Sequence, residues 1–442
     1  MASALLFAVC ALCLLQSFVF KRDFFGPVSV YLFSQCLSLG IAWFRLTPQM
    51  TPWHPATWAV FVGSAVSFSL GCVCARLAWA ARHPHEAIGR DAPSKELLAA
   101  ANADYRWKLH LVLTVCAFAY FLVGLAAEIR DMGAPMLLLP DLARAMAKGG
   151  GPDIGRFVFP FSSAPMVCAL SVVGCFKSLN PSRPLRVAFR VLFAAAAVLG
   201  FVGLPNRISL FAVALTAAYV FNLVCRRIRP AAILLGIAAA TAVFLLVAQL
   251  KGQGVALEGI LTDRKTWELP YKYIANNWWN LDYAISRGND EWTQSPHFGL
   301  DVAHGLMEPL PTLWRVYEVY RWDGIYNDHS TKSQDLNSMP YQWGLYKDFG
   351  PAGAAGIPFL VGLFFGALYA SVRARGRAGD VLLYSLLLFF ATFWFFEEFW
   401  FSFIYASWVL AVVLVPRVCT PRRTLPAEPR PEPEAAALDQ SP

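Results

Sequence analysis

Apolar residues fall in long runs separated by short polar breaks. A bilayer is crossed by a helix of about 20 apolar residues. Runs of that kind are predicted at Ser3–Phe20, Gly26–Phe44, Thr57–Ala78, Leu109–Ala127, Phe157–Phe176, Val187–Leu204, Ile208–Cys225, Ala231–Leu250, Gly350–Val372, Val381–Phe396 and Phe401–Val415. The last two also read as one long helix broken at Glu397-Glu398. The predicted fold is all-α, a polytopic transmembrane helical bundle of about 11 spans.

The pattern changes between Lys251 and Lys347, where polar positions prevail. This stretch is predicted to form one long extracytoplasmic loop between the eighth and ninth spans. It is rich in rings, with Trp267, Tyr271, Tyr273, Trp278, Trp279, Trp292, Trp314, Trp322 and Trp343. A disordered linker would be poor in aromatics. Lys272–Ser286 and Leu313–Tyr320 carry apolar residues at helical spacing, as amphipathic helices at a membrane interface do. The chain then divides into an N-terminal membrane bundle (1–250), a large loop with short amphipathic helices (251–348), C-terminal membrane helices (349–416) and a disordered cytoplasmic tail (417–442). No internal repeat is visible.

Composition supports the same class. Of the 442 residues, 57% are hydrophobic and 15% charged, and mean hydropathy is +0.47. A soluble domain has roughly 25% charged residues. The net charge of +8 does not require nucleic acid, because Lys and Arg collect in the cytoplasmic loops of membrane proteins. Here they recur in alternate loops: Lys21/Arg22, Arg76–Lys108, Lys177–Arg190, Arg226–Arg229, Arg373–Arg377 and Arg417–Arg423. That alternation places the N-terminus outside and the C-terminus in the cytoplasm. The Ser3–Phe20 run has its charges after it, not before, and reads as a retained span. The 10 cysteines avoid the polar segment and are expected as packing residues, not a disulfide framework.

Candidate chemistry lies on the predicted outer side. Arg207 sits in the tight turn Pro205-Asn206-Arg207 between two apolar runs. It either snorkels to headgroups or grips a phosphate bidentately. Arg156, Arg264 and Arg315 are further outer cations, each readable as a solvated charge and together suited to an anionic substrate. Glu397, beside an aromatic run, is a helix-end charge or a desolvated base. His304 and His329 are candidate proton acceptors, and Asp348 is expected to begin and cap a helix. Trp278 and Trp279 serve either as an aromatic belt or as stacking faces for sugars. No metal-ligand spacing, Walker loop or dinucleotide fingerprint is present, so no cofactor and no metal is expected.

The stretch Asn337-Ser338-Met339-Pro340-Tyr341-Gln342-Trp343-Gly344-Leu345-Tyr346-Lys347-Asp348-Phe349-Gly350-Pro351-Ala352-Gly353, followed by Gly362 and Gly366, resembles the oligosaccharide repeat-unit polymerases, the O-antigen polymerase family of bacterial inner membranes. The Arg207 turn and Tyr273–Leu281 are similar to further segments of that family, so the resemblance covers roughly Pro205 to Ala370. It implies transfer of a glycan from undecaprenyl pyrophosphate to another lipid-linked repeat on the outer face of the membrane. The implied partners are the undecaprenyl-pyrophosphate-linked oligosaccharide and the lipid bilayer, with a chain-length regulator and a flippase beside it. Under that resemblance Arg207, with Arg156 or Arg264, would stabilise the leaving pyrophosphate. His304, His329 or Glu397 would take the acceptor proton. Asn337, Tyr341 and Asp348 would shape the pocket, with Arg315 among the substrate cations and Trp278 and Trp279 against sugar. A lipid-linked glycan ligase, a membrane acyltransferase and a transporter are the competing classes. A transporter would place charges within its spans and show related halves.

Overall fold

The computed structural model describes residues 2–19, 23–46, 53–83, 93–132, 163–203, 207–250, 264–288, 340–396 and 403–421. Among the described residues there are thirteen helices and no strand. They are α1 (Ala2–Val19), α2 (Pro27–Ala42), α3 (Pro55–Arg82), α4 (Lys95–Ala101), α5 (Trp107–Met132), α6 (Ala164–Gly174), α7 (Arg183–Gly203), α8 (Arg207–Val224), α9 (Pro230–Leu250), α10 (Arg264–Gly288), α11 (Gln342–Arg375), α12 (Ala378–Phe393) and α13 (Phe403–Cys419).

Four helical stretches are long and apolar enough to cross a membrane, by length and composition: Pro55–Arg82, Trp107–Ala127, Arg183–Gly203 and Gln342–Arg375. The remaining apolar helices, α1, α2, α6, α8, α9, α12 and α13, are shorter. The described residues are thus all-helical, with the long apolar helices expected of a membrane protein. The expected Phe157–Phe176 span appears as α6, whose 11 residues are all buried. At 1.5 Å per residue α6 is about 16 Å long, half the hydrocarbon thickness. It is apolar all round because helices surround it; α5, α7, α8, α12 and α13 all pack on it. The final apolar runs form two helices, α12 and α13, that pack together. The tail from residue 422 lies outside the described residues.

Two ends of the bundle are stitched by different chemistry. At one end Asp23 meets Asn222 of α8 and Tyr369 and Arg373 of α11. There too Asn102 donates to the carbonyl of Gly376 and accepts from Ala378 N–H, joining the α4 end to the α11–α12 turn. Gly376 has φ 61, the left-handed conformation that ends helices and suits glycine. At the other end α10 lies over α2 and α3, and Tyr341 N–H donates to the Trp394 carbonyl at 2.8 Å, tying the start of α11 to the end of α12. The ten cysteines carry no disulfide, and Cys10, Cys13, Cys36, Cys72, Cys168 and Cys419 are buried.

Candidate functional site

The amphipathic helix read over Lys272–Ser286 is α10, and its apolar face docks. Tyr271, Ala275, Trp278, Asp282 and Ile285 are buried, a spacing that keeps them on one side of a helix. Tyr271, Trp278 and Asp282 each meet a backbone or hydroxyl group toward the ends of α2 and α3 that face α10. The Tyr271 hydroxyl donates to the Ala42 carbonyl at 3.2 Å and accepts from Leu46 N–H at 3.0 Å. Burial pushes its pKa up, so the hydroxyl keeps the proton that the Ala42 bond needs. Trp278 donates Nε1–H to Ser38 at 3.0 Å, and its ring meets Trp53 and Phe61. The Asp282 carboxylate accepts from His54 N–H at 2.7 Å and from Thr57 Oγ1 at 2.6 Å. His54 is the residue before α3, so this carboxylate sits at the positive end of that helix, where it is favoured. Replacing Asp282 by Leu should cost about 2 kcal/mol, since hydrogen bonds to a charged group are among the stronger ones. A lowered thermal midpoint and faster protease cleavage within α10 would show it. An unchanged midpoint would mean that α10 is held by its rings alone.

Where α2, α3 and the head of α11 meet lies a buried cluster of hydroxyl and amide groups. The Tyr31 and Tyr341 hydroxyls are 2.9 Å apart, and Tyr31 is 3.3 Å from Ser64 Oγ. Gln342 donates from Nε2 to Ser64 at 3.3 Å and to Gln35 Oε1 at 3.4 Å. Trp394 closes one side, with its ring 4.8 Å from Tyr341 and 5.9 Å from Tyr31. Gln35 Nε2, Gln342 Oε1 and Asn277 Oδ1 are buried without a hydrogen-bond partner. An amide atom left so costs about 1–3 kcal/mol. These are neutral donors and acceptors of the kind that recognise hydroxyl-rich molecules, not groups that move charge.

Farther along the same helix, Lys347 and Asp348 are both buried. Asp348 does not begin a helix as expected. It lies inside the first helical stretch of α11, just before a break at Gly350, where φ is 67 and ψ −165. A side chain at Gly350 would meet no atom within 4 Å, yet that φ strains any L residue. The long span runs on from Pro351.

The predicted residues that are described fall on α8, α10 and the head of α11. Tyr341 belongs to the hydroxyl cluster, Asp348 lies a few residues beyond it, and Trp278 and Trp279 are on α10. Trp278 has no exposed surface and Trp279 stacks on Tyr283 at 5.6 Å. Both pack within the protein here, and neither presents an open ring face. Arg207 is the first residue of α8 and Arg264 the first of α10. Arg156, His304, Arg315, His329, Asn337 and Glu397 lie outside the described residues. Tyr31, Gln35, Ser64 and Gln342 were missed. Their signal was legible: Tyr31, Ser34, Gln35 and Ser38 recur at helical spacing within an apolar run, and polar residues inside a span mark function or tight pairing. No group of His, Cys, Asp or Glu among the described residues is arranged to hold a metal ion. No family model, curated protein or solved structure matches this chain.

Proposed function

We propose that the chain is a membrane glycosyltransferase that polymerises undecaprenyl-pyrophosphate-linked oligosaccharide repeat units on the outer face of the bacterial cytoplasmic membrane. In this reading all eleven apolar runs serve as spans, the N-terminus is outside, and the α10 end faces out. The observation that supports it is the gathering of Tyr341, Gln342, Tyr31, Gln35 and Ser64 in one buried cluster where α2, α3 and the head of α11 meet. The Asp348-Phe349-Gly350 entry follows that cluster along α11. Neutral amides and hydroxyls suit sugar hydroxyls, and the polar segment 289–339 links α10 to the residues of that cluster on α11.

The step is a displacement at the anomeric carbon. The acceptor hydroxyl oxygen bonds to that carbon, the bond to the pyrophosphate oxygen breaks, and the hydroxyl proton passes to His304, His329 or Glu397. Arg207, with Arg156 or Arg264, neutralises the pyrophosphate as it leaves.

Loss of the gene should leave single repeats on lipid and surface by gel electrophoresis. Complementation with Arg207→Ala should leave them unpolymerised while the protein remains in the membrane. Long chains retained on the carrier would make the protein a ligase. Unchanged length and attachment would favour a transporter.

A further inference from the structure

We infer that Arg45, at the α10 end of α2, binds a phosphate group carried by a lipid. Arg45 follows α2 and its end residue Trp43, and has φ 48. Among the described residues it is the one non-glycine residue with positive φ. That conformation costs a bulky L residue about 1–2 kcal/mol and persists only where its surroundings hold it. Here the Tyr271 hydroxyl holds it, bonded to Ala42 on one side and Leu46 on the other.

The strained turn sets the guanidinium on a ring. Arg45 Cζ lies 4.4 Å from the Trp43 centroid. Trp43 meets Trp58 at 5.3 Å and Trp53 at 5.9 Å. The Asp282 carboxylate of α10 is engaged by His54 and Thr57, and no described carboxylate forms an ion pair with Arg45. Its Nε is buried without an acceptor. The flanking residues point to a lipid, not a soluble anion: Phe44 is 55% exposed and Leu46 57%. A cation backed by tryptophan and bracketed by exposed apolar side chains matches the boundary between headgroups and acyl chains. There, phosphate meets the Nη edge of the guanidinium while the first methylenes lie on Phe44 and Leu46. The assignment stands apart from the glycan chemistry above, because any lipid-borne phosphate satisfies it.

Purified full-length protein in detergent tests this with farnesyl phosphate, farnesol and inorganic phosphate, read by tryptophan fluorescence and native mass spectrometry. Arg45→Gly removes the cation and relieves the strained φ, so the thermal midpoint should hold. Affinity for farnesyl phosphate should fall about tenfold, the scale of one lost charge-assisted contact, and farnesol should bind the variant as it binds the parent. Arg45→Asn, which also tolerates positive φ, should repeat the loss. Undiminished farnesyl phosphate binding in both variants overturns the proposal. So does farnesol binding as tightly as farnesyl phosphate. Inorganic phosphate binding equally well overturns the lipid assignment and leaves a soluble-anion site.

Discussion

Replacing Gly71 or Gly362 by leucine should leave little folded protein. The two glycines lie where α3 and α11 touch backbone to backbone. A Cβ at Gly71 would collide with the Phe359 carbonyl oxygen and come within 2.8 Å of Leu363 N. A Cβ at Gly362 would collide with the Phe68 carbonyl oxygen, and one at Gly366 would lie 2.6 Å from the Cys72 carbonyl oxygen. Gly63 completes the row against Ala355 at 3.0 Å. Lipid supplies no hydrophobic drive between helices, so membrane helices adhere by close packing of small residues. A leucine there cannot be absorbed by a flexible neighbour, because the obstacle is main chain. The two longest helices must separate or tilt, and Tyr341 and Gln342 at the head of α11 would leave Tyr31 and Ser64. The expected cost is at least about 3 kcal/mol, at or beyond the upper end of ordinary overpacking. Gly356→Ala on the same helix is the control. Nothing lies within 4 Å of its Cβ, so alanine there should be neutral or mildly stabilising. Monodisperse yield and thermal midpoint in detergent measure both. A Gly362→Leu protein with the parent's midpoint would mean that α3 and α11 do not pack at this distance.

Local pattern made the helices legible and long-range pairing left the site obscure. Each apolar run predicted from sequence coincides with a helix or contains one, because apolar length is a local property. The helical period of Lys272–Ser286 likewise foretold a helix there, which is α10. What sequence could not show was partner choice. Gly362 and Gly366 were noticed as part of a motif, but their reason is the α3 backbone, far away in the chain. Ser38 and Ser64 take their partners, Trp278 and Gln342, from elsewhere in the chain. Asp348 was misplaced for a related reason: the break expected before it falls after it, at Gly350, where left-handed φ and Pro351 together begin the long span. Tyr341 adjoins the polar segment, and its hydroxyl meets that of Tyr31, a partner from the far end of the chain.

Breaking the ion pair at the opposite end should rival the glycine substitutions in effect, and unequally for its two members. Asp23 and Arg373 approach at 3.4 Å with side chains only 4% and 2% exposed. Asp23 is well supplied: Oδ2 also accepts from Tyr369 at 3.1 Å, and Oδ1 from Asn222 and from Phe25 N–H, each at 3.1 Å. Arg373 lies with Cζ 5.5 Å from the Tyr369 ring centroid. Removing one member of a buried pair costs about 3–5 kcal/mol, because the other is left charged in a poor solvent for charge. Arg373→Met leaves a carboxylate that keeps three neutral donors. Asp23→Asn leaves a permanently charged guanidinium without its carboxylate. Asp23→Asn should therefore lower the midpoint more than Arg373→Met. The double substitution should recover much of the loss, since an uncharged pair strands nothing. A double-mutant cycle on thermal unfolding in one detergent gives all three values. Additive losses would show that the two groups do not depend on each other. Equal single losses would show that Tyr369, Asn222 and the Phe25 amide contribute little to holding Asp23. Because this knot joins the start of α2 to the ends of α8 and α11, its rupture should also loosen the hydroxyl cluster, to which those same α2 and α11 bring Tyr31 and Gln342.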